Sequence, residues 1–289
     1  MLGGVDTLDF SSTTTRSVAI NLANAALQPV NAGLSLILGS ALTFENVVGG
    51  NLGDNINGNT LDNTITGGGG NDVVSGGAGD DIYKFDTDFA LGADIISDAG
   101  GVDTLDFGAT TARAIVLNLG FPGAQVVNAG LTLTIANIVT EIVIGGALGD
   151  TLTAGFTNSV LVGSRGDDRL IGGSGRNVLI GGSGADLLTG IGGDDLLIAG
   201  FTVHDFNVSA LKTIFAEWSN PATPYLVRVA NLRAGVGGIR LQAAGVGATV
   251  FNDAPSVDSL TGGLNNDWFF ANAADLITDL ALGELVDVI

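Results

Sequence analysis

Aspartates recur at a fixed interval in three glycine-rich arrays of this chain of 289 residues. When residues 49–84, 145–198 and 253–270 are written in blocks of nine, a large apolar residue stands at the eighth position of every block. The sixth positions are held, in chain order, by Asp54, Asn63, Asp72, Asp81, Asp150, Ser159, Asp168, Asn177, Asp186, Asp195, Asp258 and Asp267. Clustered carboxylates can act as acid–base pairs or share a metal ion, and a strict period of nine favours the metal ion.

The type of ligand and its spacing indicate which metal ion the aspartates are expected to bind. Two blocks are expected to complete one coil, so Asp54 would stack over Asp72, and Asp150 over Asp168 and Asp186. Bare carboxylates at that spacing repel one another in a low-dielectric groove, whereas a divalent cation between them converts the repulsion into attraction. Glycine-rich turns offer backbone carbonyls for the rest of an all-oxygen shell. Such a shell suits Ca²⁺ better than Zn²⁺, copper or the more strictly octahedral Mg²⁺.

Composition narrows the classes of protein to which the chain can belong. It holds 46 Gly, no Cys, and 30 acidic against 10 basic residues, for a formal net charge of -20. So acidic a chain is not expected to bind nucleic acid or anionic membranes, and without Cys it has no disulfide, zinc–thiolate site or thiol nucleophile. Glu occurs at only four positions, and this excess of aspartate over glutamate indicates tight turns. No membrane span is predicted.

Tight turns and very short strands must position the aspartates. The first six residues of a block can turn through positive φ where glycine stands, and the last three form a strand whose central apolar side chain points inward. One buried apolar residue per block is too little to offset the ordering of nine residues, so bound ions must add stability. The predicted fold class is all-β: a parallel β-roll or β-solenoid built from Gly/Asp nonapeptide repeats, with a small α-helical insert near the C-terminal end.

A duplication organises the rest of the chain. Residues 3–10 recur as residues 100–107, and apolar residues alternate with period two over 18–22, 34–38 and 131–135, which predicts half-buried strands. The predicted segments are a first strand segment plus β-roll over 1–98 (repeats 49–84), a second over 99–199 (repeats 145–198), a helical insert or cap over 200–252, and terminal repeats with a C-terminal secretion tail over 253–289.

The segment 200–252 is richer in basic residues than its surroundings and has helical periodicity. Leu211, Ile214 and Trp218 are spaced as on one helix face, with Asn207 or Asp205 as the N-cap. Pro224 is expected to open a second helix, because proline suits the first turn. This segment could be a docking surface, but a helical plug over the open end of the roll is favoured, since solenoid ends need covers.

Blocks 67–75 (GGGGNDVVS) and 76–84 (GGAGDDIYK) match the pattern G-G-x-G-x-D-x-(large apolar)-x. They resemble the RTX (repeats-in-toxin) family of haemolysin-type calcium-binding repeats. The resemblance implies Ca²⁺ between same-side turns, held by two sixth-position carboxylates and by turn carbonyls. The metal ligands that it implies are Asp54, Asp72, Asp81, Asp150, Asp168, Asp186, Asp195 and Asp267, with Asn63, Asn177 and Asp258 as weaker candidates.

The two faces of the second array are expected to differ. The face with Asp150, Asp168 and Asp186 has every ligand, whereas Ser159 and Asn177 leave the face that ends in Asp195 weak or empty. The fifth-position acids of the blocks, which are Asp80, Asp167 and Asp194, are interpreted as solvated charges and not as ligands.

The sequence does not predict an enzyme. His204 is the single histidine, it lies beside aromatic residues, and neither a zinc-protease motif nor a nucleophile elbow accompanies it. The expected function is a calcium-binding β-roll module of a secreted or cell-surface bacterial protein, which folds on binding extracellular calcium. The resemblance also implies type I secretion machinery as a partner, and the acidic, apolar stretch 275–286 resembles its uncleaved C-terminal signal.

Two alternatives to this function stay open. One is an adhesin or surface-matrix protein that binds glycan, ice or other subunits, with calcium purely structural. The other is the C-terminal accessory domain of a secreted hydrolase, since rolls of this kind accompany such enzymes.

Overall fold

The computed structural model describes residues 4–136 and 140–289, and every strand in them has six residues or fewer. Residue 3, the first of the duplicated octapeptide, lies outside the described residues. The strands and helices are β1 Thr7–Asp9, β2 Ala19–Asn21, β3 Gln28–Asn31, β4 Leu34–Leu36, β5 Asn46–Val48, β6 Asn55–Asn59, β7 Thr64–Thr66, β8 Val73–Gly77, β9 Ile82–Lys84, β10 Gly92–Ser97, β11 Asp103–Asp106, β12 Val116–Asn118, β13 Gln125–Asn128, β14 Leu131–Ala136, β15 Thr140–Ile144, β16 Thr151–Thr153, β17 Val160–Arg165, β18 Arg169–Ile171, β19 Val178–Ser183, β20 Leu187–Gly192, β21 Leu196–Ile198, β22 Phe201–Thr202, α1 Val208–Ser219, α2 Tyr225–Ala234, β23 Val250–Phe251, β24 Ser259–Leu264, β25 Trp268–Ala271, β26 Leu276–Ile277 and β27 Leu285–Val288.

One compact unit of the chain, unit 1, comprises Met1–Ala109 and Pro122–Thr140. In it β1, β5, β7, β9 and β11 are parallel neighbours in that order, and so are β2, β6, β8, β10 and β14. Successive coils are in register, so Val47, Ile65 and Tyr83 form one apolar column, and Ile56 and Val74 another. These side chains are at most 5% exposed, and they form the core of the unit.

The second compact unit, unit 2, comprises Thr110–Phe121 and Glu141–Ile289. Its parallel neighbours are β15, β17, β19, β21, β25 and β27 in one set, and β12, β16, β18, β20, β24 and β26 in the other. The eighth-position residues again stack and are 0% exposed: Leu152, Leu161, Leu170, Leu179, Leu188, Leu197, Leu260 and Phe269. In each unit the predicted parallel β-roll is confirmed.

Glycine at the fourth position of a block lets neighbouring turns approach closely. Gly70 and Gly166 have φ of 114° and 100°, a region in which an L side chain is strained. A β-carbon added at Gly166 would also lie 2.4 Å from the backbone nitrogen of Gly149 in the adjacent coil. The glycines of the blocks therefore serve the contact between coils as well as the turn itself.

The duplication produces two antiparallel hairpins with different surroundings. In the second hairpin, β13–β14, the predicted alternation is confirmed, because Leu131, Leu133 and Ile135 are all buried. In the first hairpin, β3–β4, Leu34 is 37% exposed. The difference follows from pairing: β14 also pairs with β10 in a six-stranded sheet of unit 1, whereas β3 and β4 form a two-stranded sheet.

The segment 200–252 contains the two predicted helices, α1 and α2. The Asn207 side chain accepts the Ala210 N–H and is the N-cap of α1, and α2 begins after Pro224. The helices do not cover an end of the coil, because β21 before them pairs directly with β25 after them. The expected end plug is therefore an insertion between consecutive coils of unit 2. Among the described residues no helix is long and apolar enough to cross a membrane.

Candidate metal centre

The sixth-position aspartates form ladders along the parallel strands of each unit. The backbone N–H of one sixth-position residue donates to Oδ1 of the aspartate in the adjacent coil, as from Asp54 to Asp72 at 2.7 Å and from Asp168 to Asp186 at 2.8 Å. The described residues form four ladders. The two ladders of unit 1 are Val18, Asp54, Asp72 and Asp94, and Asn63, Asp81 and Asp103. The two ladders of unit 2 are Ile115, Asp150, Asp168, Asp186, Asp258 and Asp275, and Ser159, Asn177, Asp195 and Asp267. Each of these Oδ1 atoms therefore joins two coils.

The second carboxylate oxygen of most of these aspartates is buried and has no hydrogen-bond donor within the part of the chain that the structure describes. These Oδ2 atoms belong to Asp72, Asp81, Asp168, Asp186, Asp195, Asp258 and Asp267. An unpartnered buried oxygen loses its hydration without compensation, and one that carries negative charge loses more. A cation would supply the partner that these seven oxygens lack.

Asp54 and Asp150 differ from the other predicted ligands. Their Oδ2 atoms accept the N–H groups of Gly50 at 2.6 Å and Gly146 at 2.7 Å, so both oxygens of each carboxylate are hydrogen-bonded to backbone. The Oδ1 atoms of the same two aspartates accept the N–H groups of Val18 and Ile115, which are the first residues of their ladders. The unpartnered oxygens thus belong to the later coils, and the pairs there are the better candidates for a full site.

The first-position glycines leave space beside the unpartnered oxygens. A β-carbon added at Gly163 would lie 2.3 Å from Asp168 Oδ2 and 2.5 Å from the carbonyl oxygen of Gly181 in the next coil. At Gly190 the equivalent atoms are Asp195 Oδ2 at 2.3 Å and the carbonyl oxygen of Gly262 at 2.2 Å. Each space is thus bordered by a carboxylate oxygen and a backbone carbonyl. An all-oxygen donor set of this kind fits Ca²⁺.

Burial raises the pKa of these carboxyls, because it removes the charged form from water. It raises the pKa of Asp72 to about 6, that of Asp186 to about 8, and those of Asp168 and Asp195 to about 9. The N–H bond to Oδ1 lowers the pKa, while neighbouring carboxylates, such as Asp186 beside Asp168, raise it further. A bound cation would offset both the burial and the repulsion.

The expectation that the Asp195 face is weak or empty stays a prediction, but the structure places a second aspartate beside Asp195 in the next coil. The Asp195 N–H donates to Asp267 Oδ1 at 2.7 Å, and on the other face the Asp186 N–H donates to Asp258 Oδ1 at 2.7 Å. Both pairs span 72 residues and not 18, because the helical insertion separates the two coils. Asp258, a weaker candidate in the sequence, therefore has the same ladder position as the strong ones.

Two of the three substituted sixth positions, Asn63 and Asn177, have hydrogen-bonded side chains, whereas the Ser159 hydroxyl is buried with no partner among the described residues. The Asn63 side chain accepts the Asn59 N–H at 2.8 Å and donates to the carbonyl of Glu45 at 3.1 Å. The Asn177 amide donates to the Gly175 carbonyl at 2.9 Å and to Asp195 Oδ1 at 3.1 Å. An amide nitrogen donates where an aspartate presents an oxygen, so these two side chains are satisfied without a cation.

Two acidic residues that were not predicted from the sequence, Asp94 and Asp103, extend the ladders of unit 1, and a third, Asp98, lies beside one of them. The Asp72 N–H donates to Asp94 Oδ1 at 2.9 Å, and the Asp81 N–H to Asp103 Oδ1 at 3.0 Å. Asp98 has a carboxylate oxygen near those of Asp81 and Asp103. Asp94 and Asp103 each precede a buried apolar residue by two positions, as the sixth-position aspartates do, and this local signal could have revealed them.

The fifth-position acids are not merely solvated charges. Asp80 Oδ1 accepts the Val102 N–H at 2.8 Å and Asp167 Oδ1 accepts the Ala185 N–H at 2.9 Å, while Asp194 pairs with the buried Arg228 of α2. They form a second set of hydrogen bonds between coils and anchor the insertion. His204 lies apart from these groups, with Nε2 3.3 Å from the carbonyl oxygen of Arg240.

Residues 48–83, 144–179 and 171–201 match the family model of the RTX calcium-binding nonapeptide repeat. No protein among the curated sequences matches the chain. The matched residues include most of the predicted ligands, whereas Asp94, Asp98, Asp103, Asp258 and Asp267 lie beyond them.

Replacing a first-position glycine should remove one ion without altering any carboxylate. We expect Gly163→Ala to bind about one calcium fewer and to lose about 1–3 kcal/mol of stability in calcium, because its β-carbon would occupy the space beside Asp168 Oδ2. Gly192→Ala is the matched control, since no atom lies within 4 Å of its added β-carbon. Titration calorimetry and urea unfolding measure both effects. Unchanged stoichiometry and affinity in Gly163→Ala would show that this space does not hold the ion.

The raised pKa values also predict how the stability of the metal-free protein depends on pH. For Asp72, Asp168 and Asp195 the folded-state pKa lies above the ordinary 3.8. Their protonation therefore stabilises the fold fully below the unfolded pKa, and this contribution is lost as the pH rises through about 6 to about 9.

We therefore expect resin-stripped, metal-free protein to hold more strand and to resist more urea at a pH of about 5.5 than at about 8.5, where it is largely unfolded. In saturating calcium the protein should instead resist more urea at the higher pH, because protons compete with the ion for the carboxylates at the lower pH. Urea midpoints followed by circular dichroism measure both series. A metal-free midpoint that rises with pH would contradict the burial of uncompensated carboxyls.

Proposed function

We propose that this chain, whose residues 48–83 and 144–201 are RTX calcium-binding nonapeptide repeats, is a calcium-binding β-roll module of a secreted bacterial protein and folds when it meets extracellular calcium. The observation that carries the proposal is the row of buried, unpartnered Oδ2 atoms at the sixth positions. It supports a role in which the ion completes the fold and takes no part in a reaction.

The energetics of the roll support folding that depends on the ion. Blocks such as those of Leu170 and Leu188 contribute one large apolar side chain to the core, whereas Leu179 is buried together with both of its strand neighbours; every block orders nine residues that include glycine. Buried carboxylates oppose the folded state at neutral pH. Calcium binds the folded coils and not the extended chain, so its binding free energy becomes folding free energy.

The proposed compartment rests on a calcium affinity like that of other extracellular calcium modules. Extracellular calcium modules have dissociation constants of roughly 10⁻⁴–10⁻³ M, far above the calcium level of a cytosol. A chain with such sites stays unfolded where it is made and folds outside the cell. An unfolded chain is the form that a type I secretion channel can pass, and we include that machinery among the proposed partners.

A structural role, and not an enzymatic one, accounts for the polar groups of the described residues. The sixth-position aspartates take part in the ladders, and the fifth-position acids bind backbone N–H groups or Arg228. His204 is 8% exposed and faces a backbone carbonyl. We therefore propose that the chain is not itself an enzyme.

Strand formation should follow calcium concentration. We expect the far-ultraviolet circular dichroism of the metal-free chain at neutral pH to show little strand and to gain it on the order of 1 mM calcium, with magnesium a poor substitute. Asp168→Asn should raise the calcium midpoint roughly tenfold, because it keeps the Oδ1 acceptor for Asp150 N–H and removes one ligand charge.

Asp167→Asn is the matched control for this measurement. Asp167 is the neighbouring residue, it is exposed, and its Oδ1 bond to Ala185 N–H survives in asparagine. It changes the net charge of the chain by the same amount and should move the midpoint much less than Asp168→Asn, because Asp167 acts on the Asp168 carboxyl only as a neighbouring charge. Equal strand content in chelator and in calcium would refute the proposed function.

A further inference from the structure

Three carboxylates meet at one point of unit 1, outside the matched repeats. Asp81, Asp98 and Asp103 each bring an oxygen into a group in which all ligand atoms lie within 4.8 Å of one another. Asp98 and Asp103 follow the matched residues 48–83. No other group of three or more His, Cys, Asp or Glu side chains converges in this way within the described residues.

The fold brings these carboxylates together from two successive coils. Asp81 precedes β9, Asp103 begins β11, and the Asp81 N–H donates to Asp103 Oδ1 at 3.0 Å. Asp98 stands five residues before Asp103, which is the position that glycine holds in the regular blocks. In those blocks a first-position β-carbon would meet the unpartnered Oδ2, and here a real carboxylate extends from the first position.

The space between the carboxylates is small and shared. A β-carbon added at Gly76 would lie 2.1 Å from Asp81 Oδ2 and 2.6 Å from Asp98 Oδ2, so both oxygens border the same volume. Asp81 is 0% exposed, and its Oδ2 has no hydrogen-bond donor among the described residues. A cation would compensate a fully buried, unpartnered carboxylate oxygen that faces two further carboxylates.

Tyr83 holds Asp98 in place. The Tyr83 hydroxyl is buried in the roll, accepts the Gly76 N–H at 2.7 Å and donates to Asp98 Oδ2. Asp98 Oδ1 accepts the N–H groups of Ala99 at 2.6 Å and Gly100 at 3.0 Å. In the folded roll the third carboxylate is therefore held in position by protein groups alone, which lowers the ordering cost of binding.

We propose that Asp81, Asp98 and Asp103 form a three-carboxylate calcium site, positioned by Tyr83, that binds calcium more tightly than the two-aspartate sites of the regular coils. The inference rests on the proposed function, since it assumes that the ladders bind calcium. Ligand charge and rigidity set calcium affinity, and this site has one carboxylate more than a regular pair. It is the first site of the chain to fill as calcium rises.

Titration calorimetry with calcium on the full chain tests the site. The wild-type chain should show one binding class roughly tenfold tighter than the rest, and Asp98→Asn should lose that class while it keeps the weaker ones. Asparagine keeps the Oδ1 acceptor for Ala99 and Gly100, so the turn survives. Asp62→Asn is the matched control: Asp62 is exposed, and its Oδ1 bond to Asp80 N–H is also kept.

A second variant and a second probe test the site even if Asp98→Asn does not fold. Tyr83→Phe keeps the buried ring and removes the hydroxyl that fixes Asp98, so it should weaken only the tightest class by about 10-fold or more. Terbium in place of calcium should report the same site, because Tyr83 lies next to the ion and sensitises its emission. In Tyr83→Phe the emission that appears at the lowest terbium concentrations should vanish.

The outcomes separate this inference from the proposed function. Loss of the tightest class in Asp98→Asn and its weakening in Tyr83→Phe, with Asp62→Asn unchanged, support the site. A tightest class that survives both substitutions overturns the inference and leaves calcium-dependent folding intact. Absence of any calcium binding to the wild-type chain overturns the proposed function itself.

Discussion

Each roll depends on carboxylates that are stacked coil upon coil and buried between the turns. One oxygen of such a carboxylate holds the backbone N–H of the next coil, as Asp186 does for Asp168 at 2.8 Å, and therefore stabilises the stack. The other oxygen is buried without a donor and raises the pKa of the group, so the same side chain opposes folding as an anion. In the proposed function a hard cation resolves this conflict and makes the stability of the rolls conditional on it.

The period of nine was enough to predict the fold and most of the candidate ligands. It fixes which residue ends a turn and which points inward, because a short strand alternates its side chains and the register repeats every two blocks. Leu170 and Leu188 are stacked in the core as this rule requires, and Asp168 and Asp186 are stacked in the turns. The helices were also predicted from local features, namely apolar spacing and an N-cap residue, and Asn207 caps α1 as the sequence indicates.

The rest could not be predicted because it depends on pairing between coils of unequal length. The insertion places Asp267 beside Asp195, although 72 residues separate them, and only the pairing of β21 with β25 reveals this. In unit 1 the next coil adds 22 residues, so Asp103 falls out of the period, and only its local spacing to a buried apolar residue points to it. The role of Asp98 depends on a buried oxygen of Asp81, which is a property of the folded chain and not of the spacing.

Anomalous X-ray diffraction from crystals grown in calcium tests the central claim most directly. The account predicts calcium peaks bonded to the Oδ2 atoms that have no protein donor, those of Asp168 and Asp186 in one ladder and of Asp195 and Asp267 in the other. Backbone carbonyls of the adjacent turns should complete each shell. Intact coils with those oxygens bound only to water, at calcium concentrations of about 10 mM, would contradict it.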